Sequence, residues 1–494
     1  MDQITKLGVK VGEARDRFPL QKLILRVGAY GPTNTADPLS NSTACLRDAA
    51  LMQELGINTI RSYNVDPTLN HDECASIFNS VGIYMIIDVN SPLAGQSLDR
   101  TNPSSSYTTS YLEHIFSVVE AFKSYPNTLG FFAGNEIIND DATAQANPPY
   151  IRAVQRDLKN YIANHASRTI PVGYSAADVA NILQDTWAYE QCAIGGSGND
   201  ASRADFFGLN DYSWCGSSAT FESSGYNVLV EMFANTTIPV FFSEYGCNQP
   251  EPRSFNEVQA LYGPQMTVLS GGLVYEWSQE TDDFGLVQIY SNASAQLLTD
   301  YETLQSQYNK LNLTLLQSSN STATALTPPA CAASLLTSGQ FSTDFNIPSP
   351  PDGAAAIISS GVSNAPTGSI VSITQSSVAV PVYATNGAQI TGLAIKATSG
   401  SNVPSGEDTG SSVSPGANSS SKSSSGSKTN TATSSQPSTA AHSQSTSAVG
   451  ASSSAAATTS AAAATSKAGA ADRIVGAGAG GAMALVLGAG LLAL

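Results

Sequence analysis

Basic residues are scarce in this sequence, with 22 lysines and arginines against 39 aspartates and glutamates over 494 residues, for a formal net charge of −17. Nucleic-acid binding relies on clustered Lys and Arg that displace phosphate counterions, and the sequence has no such cluster. The four histidines lack metal-ligand spacing, and there is no glycine-rich phosphate loop. The sequence therefore implies no nucleic-acid partner, no metal and no cofactor.

The N-terminus lacks the apolar core of a secretory signal peptide, because residues 1–18 are charged and mixed. We therefore treat residues 1–22 as an atypical N-terminal segment. At the other end, residues 474–494 carry only small and apolar side chains, and no basic residue follows them. A stop-transfer helix normally has basic residues on its cytoplasmic side. This pattern therefore favours a GPI-attachment signal over residues 471–494, with the attachment residue within 460–470.

The region before that signal lacks aromatic residues and has few aliphatic ones, since residues 399–466 are mostly Ser, Ala, Thr and Gly. Such a segment cannot bury enough apolar surface to offset the entropy lost on ordering. We expect a disordered, O-glycosylated stalk. The sequence thus divides into a globular domain over residues 23–345, a low-complexity linker over 346–470 and the hydrophobic signal.

The globular part contains all six cysteines, and none of them forms a CxxC pair. An even number of cysteines and several glycosylation sequons indicate disulfides formed in a secretory route. The spacing alone leaves the pairing open. The six are Cys45, Cys74, Cys192, Cys215, Cys247 and Cys331.

Short apolar runs alternate with amphipathic, helix-length segments along the globular part. The eight runs cover residues 23–29, 58–63, 84–90, 129–135, 170–175, 205–210, 239–244 and 273–277. Strand and helix repeated eight times predict an α/β fold, the (β/α)8 TIM barrel. Active sites of that fold lie where the strands end, and here most strands end on polar residues, among them Arg61, Asp88 and Asn210.

Two of these strand ends carry a glutamate, Glu136 after the fourth run and Glu244 after the seventh. Retaining glycosidases use one protonated and one ionised carboxyl, roughly 5 to 5.5 Å apart. The apolar run before Glu136 predicts a buried, protonated acid/base, with Asn135 beside it to bind a sugar hydroxyl. Glu244 is then the nucleophile, oriented by Tyr245. Any single glutamate at a strand end could instead be an ordinary surface charge.

Five longer motifs resemble the fungal β-1,3-glucanosyltransferases of glycoside hydrolase family 72. They are ELGINTIR (54–61), NHDEC (70–74), NTLGFFAGNE (127–136), IPVGYSAAD (170–178) and SEYGC (243–247). The resemblance covers roughly residues 23–345 and implies GPI-anchored enzymes that cut internal β-1,3-glucan bonds and join the new reducing end to another glucan chain.

The resemblance also implies roles for individual positions. Tyr63, Asn135, Asp178 and Tyr275 correspond to substrate-binding residues, and Glu136 and Glu244 to the catalytic pair. The implied disulfides are Cys45–Cys74, Cys215–Cys247 and Cys192–Cys331. The sequence departs from the family at Gly31, where relatives tend to have glutamine, and it lacks an arginine after Asp178 and the cysteine-rich carbohydrate-binding module of one branch.

Two alternatives to this function stay open at the level of sequence. A retaining endo-β-1,3-glucanase would use every catalytic residue named above, and a non-catalytic glucan-binding wall protein could keep the barrel. The expected partners are donor and acceptor glucan chains and, through a GPI lipid, the extracellular face of the plasma membrane or the wall. Tyr212 and Trp214 are further candidates for stacking on sugars, although packing beside Cys215 would explain them equally well.

Overall fold

The computed structural model describes residues 37–196, 198–312, 316 and 326–398. Seven parallel strands in this part form one sheet whose order follows the chain, and its first and last strands approach each other. They are β1 (Thr59–Ser62), β2 (Tyr84–Asp88), β3 (Thr128–Asn135), β4 (Val172–Ala177), β5 (Phe207–Asp211), β6 (Val240–Tyr245) and β7 (Gly272–Val274). This nearly closed barrel confirms the predicted TIM-barrel fold. The first predicted strand, residues 23–29, lies outside the described residues.

The strands are apolar along their length because both of their faces are covered. Inward-pointing side chains fill the barrel with a small cluster: Ile86, Leu129, Phe132, Phe206, Phe241 and Leu273. Outward-pointing side chains join the much larger core under the helices. The barrel interior is therefore packed below the strand ends, and polar groups collect at the rim.

Helices alternate with the strands and cover the barrel. They are α1 (Ser42–Leu55), α2 (Asp72–Ser80), α3 (Pro103–Ser106), α4 (Thr109–Phe122), α5 (Asp141–Ala146), α6 (Pro148–His165), α7 (Leu183–Gln191), α8 (Tyr226–Phe233), α9 (Glu257–Leu261), α10 (Thr299–Tyr308) and α11 (Ala354–Ser360). Helix α1 shows how the sequence sets their bounds. Asn41 caps its first turn by accepting from two backbone N–H groups, and Gly56 ends it at φ 77°.

A second, four-stranded sheet lies beside the barrel and contains strands from two distant parts of the chain. Its members are β8 (Val287–Ile289), β9 (Ala295–Leu297), β10 (Val382–Tyr383) and β11 (Gln389–Ile390). Strand β10 pairs parallel with β9, placing Val382 opposite Ala295. Residues far beyond the predicted end of the domain thus complete a sheet that begins right after β7.

Residues 346–398 are part of the packed structure, although the sequence places them in a linker. Helix α11 packs on α4 and α6, and Asn164 donates to the carbonyl of Ile358 at 2.9 Å. Ala354, Val382, Leu393 and Ile395 are buried. The domain boundary predicted at residue 345 must move to residue 398 or beyond. In this segment, isolated apolar residues lie among Ser and Thr and form no periodic pattern. Its composition therefore does not indicate that residues 346–398 pack on the barrel.

The structure contains the three disulfides that the family resemblance implied: Cys45–Cys74, Cys192–Cys331 and Cys215–Cys247. The first joins α1 to α2, and the third joins the loops after β5 and β6. The bond between Cys192 and Cys331 ties the segment that follows α10 to the end of α7. Among the described residues, no helix is both long and apolar enough to cross a membrane. The stalk after residue 398 and the hydrophobic signal lie outside the described part of the chain.

Candidate active site

Glu136 follows the last residue of β3, at a point where the strand leaves its regular register. The pairing of β3 with β4 shifts between Phe132 and Asn135, and Glu136 itself has φ 50°, which non-glycine residues rarely adopt. Its backbone N–H donates to the carbonyl of Ser175 at 2.8 Å. Such irregularities at the end of a strand redirect a side chain, and they concentrate at functional sites.

Glu244 lies on β6 and is 5% exposed. One of its oxygens, Oε1, accepts from the hydroxyl of Tyr63 at 2.9 Å and from Nη1 of Arg61 at 3.2 Å. The other, Oε2, accepts from the hydroxyl of Tyr212 at 2.7 Å. Three donors on a buried side chain favour its carboxylate form. Tyr212, a candidate either for stacking on sugar or for packing beside Cys215, therefore holds this carboxylate.

Tyr245 does not orient Glu244, so that part of the sequence interpretation is wrong. Its hydroxyl lies 3.1 Å from that of Tyr308 on α10, and its side chain is fully buried. Consecutive residues of a strand point to opposite faces, so Tyr245 points into the helix layer when Glu244 points into the barrel. Tyr63, which follows β1, and Tyr212, which follows β5, take the orienting role instead.

Arg61, which the sequence analysis placed at a strand end without assigning it a role, lies at the centre of the site's hydrogen bonds. It ends the apolar part of β1, is fully buried, and binds both oxygens of Asp88 at 2.9 and 2.8 Å. Its guanidinium also lies 4.2 Å from the centre of the Tyr63 ring. Burial lowers the pKa of Arg61, but Asp88, Tyr63 and Glu244 raise it above its ordinary value. A buried arginine needs carboxylate partners. An arginine at the end of an apolar strand therefore indicates that carboxylates lie close to it, and this is the sequence feature that could have found Arg61.

A network of buried amides and hydroxyls connects the two glutamates. The carbonyl oxygen of Asn210 accepts from Ser175 at 3.1 Å and from Ser243 at 2.8 Å. Its amide group consequently faces the other way and donates to Oε1 of Glu136 at 2.8 Å and to Oδ1 of Asn135 at 3.1 Å. Asn210 is thus fixed in one orientation as the hydrogen-bond donor to Glu136.

Asn135 lies between the two glutamates and uses its side-chain oxygen as an acceptor. This oxygen takes hydrogen bonds from Nη2 of Arg61 at 3.0 Å and from Asn210. The amide N–H groups of Asn135 have no partner among the described residues. They are therefore free to donate to a bound sugar, as the sequence predicts for this residue.

The two carboxyl groups differ in how strongly the protein stabilises their charge. Burial raises the pKa of both, that of Glu244 to about 7. Arg61, Tyr212 and Tyr63 oppose this rise at Glu244, while the charge of Glu136 adds to it. That last contribution disappears once Glu136 is protonated. The two negative charges disfavour each other, so the arrangement favours a single proton on the pair. Glu244 accepts three hydrogen bonds from the protein and the side chain of Glu136 accepts one, which favours that proton on Glu136.

An aromatic wall stands beside Glu244. Tyr63 and Tyr212 each pack edge-on against Tyr275, with ring centres 6.3 and 6.2 Å apart. Phe284, which the sequence analysis did not single out, adds a fourth ring 5.2 Å from Tyr275. Such a wall can pack against the apolar faces of sugar rings. Trp214 is not part of it, because it is buried against Tyr226 at 5.2 Å, in agreement with the packing alternative.

Asp178, the remaining predicted substrate contact, follows β4 and is exposed. It lies at the same rim but beside Asp211, whose pKa is raised to about 7 by burial and then by the charge of Asp178. It takes no part in the hydrogen bonds that hold Glu136 and Glu244 within the described residues. Gly31, where the sequence departs from its relatives, lies outside the described residues.

A cleft of about 660 Å³ opens beside Glu136. Tyr63, Asp88 and Asn135 line it at the strand ends, and the loop between β2 and α4 forms its opposite wall. In the described part of the chain, no cluster of side chains could hold a metal ion. The site thus combines a groove, two carboxyl groups with different hydrogen-bond partners, and aromatic rings. Acid/base and covalent chemistry on a sugar polymer requires these groups.

A family model described as glucanosyltransferase matches residues 17–312, more than half of the chain. The chain belongs to the glucanosyltransferase family. This confirms the membership in glycoside hydrolase family 72 that the motifs predicted, and with it the class of enzyme. Among the family's curated members, the 1,3-beta-glucanosyltransferase gel2 of Aspergillus fumigatus is 54% identical over 389 residues, which cover 78% of this chain and 80% of gel2. The 1,3-beta-glucanosyltransferase GAS4 of Saccharomyces cerevisiae is 46% identical over 306 residues, covering 62% and 64%.

Solved structures of another glucanosyltransferase-family protein share this fold. Gas2p of Saccharomyces cerevisiae in complex with laminaritriose and laminaritetraose is 35% identical, with a TM-score of 0.60. The aligned region covers 67% of this chain and 74% of that one. A glutamate-to-glutamine mutant of Gas2p, bound to laminaritetraose and laminaripentaose, is 36% identical with a TM-score of 0.58, covering 67% and 71%.

Proposed function

We propose that this glucanosyltransferase cleaves internal β-1,3-glucan bonds with retention and transfers the new reducing end to another glucan chain, which lengthens cell-wall glucan. The observation that carries this proposal is the asymmetry of the two glutamates. Glu244 accepts from Arg61, Tyr63 and Tyr212, whereas the side chain of Glu136 accepts from the single amide of Asn210. The relatives named 1,3-beta-glucanosyltransferase and the Gas2p complexes with laminari-oligosaccharides support the choice of substrate.

In the first step, the carboxylate of Glu244 attacks the anomeric carbon while the bond from that carbon to the leaving oxygen breaks. Glu136 donates its proton to this oxygen, and the cut glucan leaves with a free hydroxyl. The product is a glycosyl ester on Glu244. The hydrogen bonds from Tyr63 and Tyr212 to the two carboxylate oxygens weaken as the negative charge of Glu244 is consumed, and Asn135 donates to the sugar.

In the second step, Glu136 is a carboxylate and removes the proton from a hydroxyl of the acceptor glucan. The acceptor oxygen attacks the anomeric carbon, the ester bond breaks and Glu244 is regenerated. Tyr275 and its neighbouring rings hold sugar next to the ester, together with Tyr63, Asn135 and, at the rim, Asp178. A bound acceptor at high effective concentration competes with water for the ester.

Incubation with a single laminari-oligosaccharide tests transfer directly. We expect products both longer and shorter than the substrate, analysed by chromatography at early times. Shorter products alone would identify the endo-β-1,3-glucanase of the alternative reading. Binding of the oligosaccharide without any product would identify a non-catalytic glucan-binding protein.

We also propose that the enzyme acts at the extracellular face of the plasma membrane, attached by a GPI lipid, and possesses a solvated stalk from residue 399 onward. The apolar residues 474–494 and the small residues before them support this location. A phospholipase specific for phosphatidylinositol should release the protein from membranes of the producing cells. Retention on the membrane after that treatment would contradict the lipid anchor.

A further inference from the structure

The four-stranded sheet beside the barrel has one buried face and one face toward solvent. On the buried face, Val287, Ala295, Leu297 and Val382 join the main core. Successive residues of a strand point to opposite faces, so the residues next to these point outward. We call these outward residues the outer row: Gln288 on β8, Gln296 on β9, Tyr383 on β10 and Gln389 on β11. All four are partly or fully exposed.

The outer row crosses all four strands in register. Gln288 lies opposite Gln296, and Gln296 lies opposite Tyr383 on its other side. Tyr383 in turn lies opposite Gln389. Neighbouring strands are about 4.8 Å apart, so the row is roughly 14 Å long. Tyr290, which is 42% exposed, adds a second ring, because its hydroxyl donates to Oε1 of Gln296 at 2.8 Å.

The outer row keeps polar atoms available for a ligand. The oxygen of Gln296 is occupied by Tyr290, and its amide group reaches a backbone carbonyl only at 3.4 Å. Gln288 donates to a backbone carbonyl at 3.2 Å, and its oxygen has no donor within the described residues. The side chains of Tyr383 and Gln389 form no hydrogen bond with any described residue. The face thus presents both donors and acceptors.

The strands of this sheet contain no charged residue, although the chain has 39 acidic and 22 basic residues. Protein surfaces normally carry interspersed charges of both signs. A face without charge offers nothing to attract a phosphate, a nucleic acid or an ionic peptide. Amide groups and tyrosine rings instead suit a neutral sugar polymer, because amides exchange hydrogen bonds with hydroxyls and rings pack against the apolar faces of sugars.

The sheet lies close to the catalytic rim but outside it. Gln288 follows Phe284 of the aromatic wall by four residues, so their Cα atoms are at most about 14 Å apart. Within the described residues, no member of the outer row lines the cleft at Glu136 or bonds to Glu244. A polymer longer than the cleft can therefore contact both regions.

We propose that the outer row and Tyr290 bind neutral β-glucan outside the catalytic cleft and form a second carbohydrate-binding surface. Tyr290 and Tyr383 pack against sugar rings, and the glutamines bond to sugar hydroxyls. This inference rests on the proposed function for the identity of the polymer, but binding at the sheet needs neither catalytic glutamate. Two contact regions on one polymer raise its affinity through effective concentration. The surface therefore acts on long glucan and not on short oligosaccharides.

The test compares the double variant Tyr290→Ala/Tyr383→Ala with the wild type. Co-sedimentation with insoluble β-1,3-glucan measures binding, and steady-state kinetics use a short laminari-oligosaccharide and a long soluble β-1,3-glucan. N-linked glycans are first removed enzymatically, because Asn292 in the turn between β8 and β9 begins an Asn-X-Ser sequon. Loss of two rings should weaken binding, and raise KM for the long glucan, about tenfold or more. Both kcat and KM for the short substrate should stay as in the wild type.

Val228→Ala is the control, because Val228 is 53% exposed on α8 and is not part of the sheet. It should bind glucan as the wild type does. Unchanged binding by the double variant, or an equal loss of activity on short and long substrates, refutes the second surface. If the double variant does not fold, Tyr290→Ala decides alone, since unchanged binding there refutes the proposal.

Two further outcomes separate this inference from its rivals. If the wild type self-associates in analytical ultracentrifugation and the double variant does not, the face is an interface between copies of the chain, and the second surface is refuted. If the wild type binds glucan through Tyr290 and Tyr383 but forms no product from either substrate, the proposed function fails and the second surface stands.

Discussion

Tyr63 and Tyr212 contact Glu244 from opposite sides, one at each carboxylate oxygen. Both hydroxyls donate to a charge, and such hydrogen bonds are stronger than those between neutral groups. Burial acts in the other direction and raises the pKa of Glu244 to about 7. The ionised form of Glu244 therefore depends on these two phenols and on Arg61, and each donor that is removed should raise the pKa of Glu244 further.

Tyr212→Phe is expected to lower kcat/KM by roughly 10- to 100-fold, the effect of losing one hydrogen bond to a charged group. Because Glu244 must be ionised to react, its higher pKa should also move the acidic limb of the pH profile to higher pH. Tyr63→Phe should act in the same direction. The measurement is kcat/KM for transfer against pH.

Tyr245→Phe provides the control for that experiment. It removes a hydroxyl on the residue next to Glu244, but this hydroxyl contacts Tyr308 in the helix layer. The acidic limb of the pH profile of Tyr245→Phe should coincide with that of the wild type. An equal shift in Tyr245→Phe and Tyr212→Phe would mean that the phenols affect the profile through general stability instead of through Glu244.

At the level of strands and helices, the apolar runs predicted seven of the barrel strands to within a few residues. They did so because parallel strands buried on both faces have few polar residues until they end. The position of each side chain at the rim was harder to predict. The register shifts near Asn135, Asn210 and Glu244 redirect side chains, and the sequence gives no sign of them. The role of Arg61 was not predicted for a related reason, since its partners come from four other strands, β2, β3, β4 and β6.

Helix α7 carries a buried carboxyl that should make stability depend on pH. Burial raises the pKa of Glu190 to about 7, above its unfolded value, so the stabilising contribution is complete at low pH and is lost as pH rises through 7. Glu190→Gln removes this titration. It should change the free energy of unfolding little at pH 5 and raise it by up to roughly 3 kcal/mol at pH 8.

Denaturant unfolding at the two pH values checks this prediction, with Glu113→Gln as the control. Glu113 is exposed on α4, so its substitution should leave the difference between pH 5 and pH 8 as in the wild type. A Glu190→Gln variant that loses stability equally at both pH values would show that the carboxyl does not titrate in this range.

At the scale of the whole molecule, residues 346–398 form a C-terminal layer that extends the enzyme beyond its barrel. Thr398 donates its backbone N–H to the carbonyl of Ser80 at 2.9 Å, at the end of α2. Helices of this fold run opposite to the strands, so this point lies at the face away from Glu136 and Glu244. The described part of the chain therefore ends on the side opposite the cleft.

Two truncations test where the folded domain ends. A chain ending at residue 398 should keep the unfolding midpoint and the transfer rate of the full chain. A chain ending at residue 345 loses α11, β10 and β11, with buried residues such as Val382 and Ile395, and should lose several kcal/mol of stability, given about 25 cal/mol per Å² of apolar surface. If the two truncated chains were equally stable, the domain boundary predicted at residue 345 would be correct.

The central claim is the division of labour between Glu136 and Glu244, and trapping the glycosyl ester tests it most directly. Glu136→Gln cannot donate a proton, so it should cleave glucan at least about 100-fold more slowly, yet still react with an aryl laminari-oligosaccharide whose leaving group needs no acid. Mass spectrometry of the digested protein should then find the sugar on the peptide containing Glu244, and Glu244→Gln should form no ester. Sugar attached at any other residue, or an ester that forms in Glu244→Gln, would contradict the account.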